Sequence, residues 1–68
     1  MSMFKELDVV KTVVAIPKAG IAVGALGTIV HVAHKPSLAY LVEFANNKGE
    51  TLAEEFLTAE EITLDTPA

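Results

Sequence analysis

Cysteine is absent from this chain of 68 residues. Disulfides, thiolate zinc sites, iron–sulfur clusters and thiol nucleophiles are therefore excluded. A cysteine-free sequence fits a reducing cytoplasm, the compartment expected here. Arginine is absent as well, which removes the bidentate fork that grips phosphates and guanine. Five scattered lysines and a formal charge of −4 make the chain a poor binder of polyanions, so nucleic acid is an unfavoured partner. No apolar run approaches the roughly 20 residues of a membrane span. The opening Met-Ser-Met-Phe-Lys-Glu-Leu-Asp carries acid early and has no cleavable apolar region, so neither a membrane span nor a signal peptide is expected.

What is present is unusually apolar. Hydrophobic residues make up 51% and the mean hydropathy is +0.45, high for a small domain. A chain this short holds one core, and buries only about 60% of its unfolded surface. Surplus apolar side chains must enter the core or an interface, and a homo-oligomer, most simply a homodimer, is expected. Charge is uneven: residues 1–42 carry four lysines against two acids, and residues 43–68 one lysine against seven acids. The acidic third is either a solvated face or a docking surface steered by charge.

Alternation with a period of two reads as strands. Asp8–Ile16 is rich in β-branched residues and forms the first, with Val10, Thr12, Val14 and Ile16 on one face. Lys11 marks the other face as outward. Val9, Val13 and Ala15 then form an exposed strip, or lie under the barrel's curvature or the N-terminal segment. Pro17 stops the strand. Residues 17–26 are the first loop, where Gly20 and Gly24 supply positive φ or tight turns. Gly27 opens a second strand, Thr28–Ala33, whose two faces are both mostly apolar. Lys35-Pro36-Ser37 makes a turn. In the third strand, Ala39–Ala45, Tyr40, Val42 and Phe44 point inward, while Leu41, Glu43 and Ala45 point outward. Asn46-Asn-Lys-Gly49 is a hairpin turn, with Gly49 in left-handed backbone. Glu50–Leu57 is a fourth strand of undecided facing, with a short helix as the competing reading. Thr58-Ala-Glu-Glu61 is a capping-box pattern with room for about one helical turn. Ile62–Leu64 closes the sheet. The domain layout is a lead-in over 1–6, one domain over 7–64 and a flexible tail over 65–68.

Five short strands, a long first loop and a helical turn before the last strand describe an all-β fold, a small five-stranded Src-homology-3-like barrel. The segments Leu-Asp-Val-Val (7–10), Ile16-Pro17, Gly20, Gly24, Gly27-Thr-Ile-Val-His-Val32, Tyr40, Val42-Glu-Phe44 and Gly49-Glu-Thr51 resemble a small bacterial family, domain of unknown function 4926. The likeness spans residues 5–64. Its pattern implies an apolar residue at Glu54 or Glu55, where this chain has acids. The resemblance implies a fold but brings no reaction, cofactor or partner.

Candidate chemistry is thin. The spacing of Gly20, Gly24 and Gly27 is neither a dinucleotide fingerprint nor a phosphate loop, and it precedes a strand. His31 and His34, three apart, face opposite sides of a strand; sharing a metal requires the strand to end by Ala33, with Glu43 or another carboxylate to help. Glu54 and Glu55 point to opposite faces and make no acid–base dyad. Tyr40 and Phe44 suit core packing better than a proline-peptide groove. No catalytic, cofactor or metal site is expected. The expected function is a non-catalytic protein-interaction module, with Val9, Val13, Ala15, Leu41, Glu54, Glu55, Glu60 and Glu61 as candidate interface residues. The alternatives are a nucleic-acid-associated barrel, an antitoxin- or immunity-like partner of a basic protein, and an accessory subunit closing over another enzyme's site.

Overall fold

The computed structural model describes residues 4–65. Residues 1–3 and 66–68, which include most of the expected tail and half of the lead-in, lie outside the described residues. The strands are β1 (Val9–Thr12), β2 (Leu26–Ala33), β3 (Ala39–Ala45), β4 (Thr51–Leu57) and β5 (Ile62–Leu64). All neighbours run antiparallel in one sheet of order β4-β3-β2-β1-β5. The all-β, five-stranded expectation holds. The sheet is not a closed barrel, because β4 and β5 end it on opposite sides rather than pairing with each other.

Besides one-residue offsets at the starts of β1 and β4, three features differ from the sequence reading. β1 stops at Thr12, not Ile16. The Thr12 hydroxyl donates to the Val14 carbonyl at 2.7 Å, with the Glu61 carbonyl also 3.2 Å away, and accepts from the Val14 amide. Such local bonds compete with the ladder and bend the chain there. β2 begins at Leu26, which places Gly27 inside the strand opposite Phe44. The single helical turn among the described residues, of 3-10 type, falls at Pro17–Ala19 and ends on Gly20 at φ 70°. The helical turn expected at residues 58–61 is instead a hydrogen-bonded turn. Its capping partners are in place: the Thr58 amide donates to the Glu61 carboxylate at 2.9 Å, and the Glu61 amide to the Thr58 carbonyl at 3.0 Å. Ile62 must then enter the core as part of β5, so no helix follows.

Alternate residues build the core on one face. Val10, Ile29, Tyr40 and Val42 have no exposed surface, and Phe44, Leu57 and Ile62 join them. Ile16 and Ile21, bridged across the first loop, close one side. Phe4 closes another, its ring edge-on to Tyr40 at 5.3 Å. The lead-in therefore contributes to the core, which the sequence did not announce. Gly27 is required by space and not by φ: a Cβ there would meet the Val42 side chain at 2.5 Å and the Glu43 carbonyl at 3.0 Å.

Candidate functional site

The outer face of the sheet carries the features left over once the core is built. Registry lines its residues up in rows. One row runs Val9–Thr28–Glu43–Glu54 across β1, β2, β3 and β4. The next runs His31–Leu41–Phe56 across β2, β3 and β4. Two apolar areas result, and a carboxylate pair, Glu43 and Glu54, continues the row of the first. Val9, Leu26 and Ala45, together with Thr28 and Glu43, line a shallow cavity of about 190 Å³. Phe56 and Ala39 line a second, of about 240 Å³, with Ala33, Pro36, Lys35 and Ser37. Leu26 is 53% exposed and Phe56 59%, large values for side chains of their size.

Glu43 and Glu54 are directly opposite each other on neighbouring strands. Like charges in that relation destabilise a sheet. Glu43 accepts a hydrogen bond from the Thr51 hydroxyl. Among the described residues the ion pair present is Lys18 with Glu55, at 3.8 Å, on the other side of β4. The register with β3 resolves the facing of β4: Ala53, Glu55 and Leu57 lie opposite Phe44, Val42 and Tyr40 on the core side, while Leu52, Glu54 and Phe56 turn outward.

The expected interface residues are dispersed. Val9 lies on β1, whereas Val13 and Ala15, both exposed, lie in the bend beyond it. Leu41 is half-buried beside Phe56, a row away from Val9. Glu54 belongs to the outer pair and Glu55 to Lys18; Glu60 and Glu61 sit in the turn before β5. Gly20, Gly24 and Gly49 all have positive φ. Leu26, Leu52 and Phe56 were missed as surface residues, although the shared parity of Leu52 and Phe56 with Glu54 was a usable signal. His31 and His34 are both exposed, and among the described residues no cluster of three His, Asp or Glu is arranged to hold a metal ion. The five lysines fall on five separate segments, and among the described residues no helix is long and apolar enough to cross a membrane.

One further residue breaks a local rule. Leu7 has φ 75° and is 79% exposed. The Asp8 amide donates to the Lys5 carbonyl, closing a turn with Leu7 at its third position. The Leu7 amide donates to the Ile29 carbonyl at 2.7 Å, and the Ile29 amide to the Asp8 carbonyl at 3.0 Å. That is a β-bulge of the kind that places glycine in left-handed backbone, here occupied by leucine at a cost of about 1–2 kcal/mol.

The family described as Domain of unknown function (DUF4926) matches residues 6–64. The chain belongs to that family. No curated protein and no solved structure matches it. Family membership covers all five strands and carries no assigned activity.

Proposed function

We propose that the protein is a small, non-catalytic interaction module that self-associates through the apolar strip along β1 and β2. The observation supporting this is the exposure of Val9 and Leu26, at 46% and 53%, on the sheet face that the chain's own core does not use, with Val13, 46% exposed, in the bend that follows β1. A short chain without disulfides gains stability by covering such a strip with a second copy. The absence of cysteine suits a reducing cytoplasm.

Sedimentation equilibrium at micromolar concentration tests the reading. A dimer or larger species is expected, shifting towards monomer when Val9 and Leu26 are both replaced by lysine. A clean 7.2 kDa species for the unaltered chain overturns self-association.

A second reading has its own observation. The acids of residues 43–68 outnumber the one lysine there by seven to one, and Glu43 and Glu54 stand together on the surface. A basic protein partner is complementary to that surface.

A further inference from the structure

We propose that the free edge of β4 accepts an extended segment of a protein partner, one that sets a lysine or arginine beside Glu54 and an apolar residue beside Phe56. The proposal rests on the interaction-module reading and names the chemistry of the partner.

The edge itself comes first. Among the described residues β4 ends the sheet and is paired only with β3. In an antiparallel edge strand, every second residue turns its backbone N–H and C=O away from the sheet, where another strand can pair with them. Edges are ordinarily guarded by lysine, proline, bulges or short length. β4 has seven residues and neither lysine nor proline. Its one irregularity lies at its start, and its register from Ala53 to Leu57 is unbroken. The opposite edge, β5, is only three residues long.

The side chains then select the occupant. Glu54 and Phe56 stand two residues apart on the outer face, both exposed. An added strand places one residue directly beside each, about 5 Å away between Cβ atoms. Beside Phe56, an apolar side chain extends the Leu41–Phe56 row. Beside Glu54, a cation converts the repulsion between Glu43 and Glu54 into attraction for both. Leu52, set off by the irregularity, adds apolar surface at the far end.

A second copy of this chain does not fit the same edge. β4 contains no cation, and the two-fold register that brings Phe56 against Leu52 of the other copy sets Glu54 against Glu54. The self-association proposed above uses the β1–β2 side and leaves this edge open.

Amide NMR spectra of the isotope-labelled full chain provide the test. The probe is a peptide of threonines with Val, Lys and Val at alternate positions; the control has Glu in place of Lys. Saturable shifts centred on residues 51–57 are expected with the lysine peptide, and about ten-fold weaker binding of the control. Glu54→Lys, at an exposed site whose spectrum reports its own folding, should reverse the preference. Shifts centred elsewhere, equal binding of the two peptides, or an unchanged preference in Glu54→Lys overturn the proposal. Sedimentation decides self-association separately, so the failure of one reading is distinguishable from the failure of the other.

Discussion

The inner face of the sheet holds Val10, Ile29, Tyr40 and Val42 with no exposed surface, while the outer face leaves Val9, Leu26 and Phe56 about half open to solvent. Both faces are drawn from the same β-branched and aromatic vocabulary. Inside, each side chain is enclosed by others, and even a glycine is set by its neighbours' atoms. Outside, apolar groups are interrupted by two carboxylates facing each other, an arrangement that weakens the sheet. Stability is therefore made on one face. The other face retains costly features that the fold does not need.

The largest effect expected belongs to the inner face. Phe44→Ala should cost about 3–5 kcal/mol, most of what a domain of this size possesses at roughly 0.05–0.15 kcal/mol per residue. A thermal melt matching the unaltered protein would break the contrast at its root. Gly27→Ala comes next, at about 1–3 kcal/mol, because the new methyl group meets a backbone carbonyl as well as Val42. Urea unfolding measures it, and an unchanged midpoint would mean that β2 and β3 can part without penalty. Smallest, and opposite in sign, is Leu7→Gly on the solvent side. Relief of left-handed backbone should raise stability by about 1 kcal/mol, after part of the gain is offset by glycine's freedom in the unfolded chain. A loss of stability would show that Leu7 serves the fold after all.

Much of the sheet could be read from the residues because its signals are local. β3 and β5 match their expected bounds, since Tyr40, Val42 and Phe44 alternate cleanly and Asn46–Gly49 supplies the turn. Asn46 confirms that turn by accepting from the Lys48 and Glu50 amides through its side-chain oxygen. What escaped was decided at long range. β-branched residues continue past Thr12, but its hydroxyl reaches Val14 and Glu61 and ends the strand. β4 has a glutamate on each face, and its register with β3, which sets Glu54 against Glu43 and Glu55 against buried Val42, distinguishes them. Leu7 gave no warning, because leucine is not a residue that marks left-handed backbone. The interface candidates form no single strip: Val9 is level with Glu43 across the sheet, and Leu41 lies two residues from Glu43 along β3, in the next row.

The pairing of β1 with β5 has a consequence for how the molecule is made. Val10 lies beside Leu64, and the Asp65 amide donates to the Val9 carbonyl. A ribosome delivers the first of these strands long before the second. Until Ile62–Leu64 have emerged, β1 has a neighbour on one flank only, and the Glu61 carbonyl that receives the Val13 amide is not yet there. Assembly must wait for these late residues, and contacts that bridge such a span of sequence form slowly.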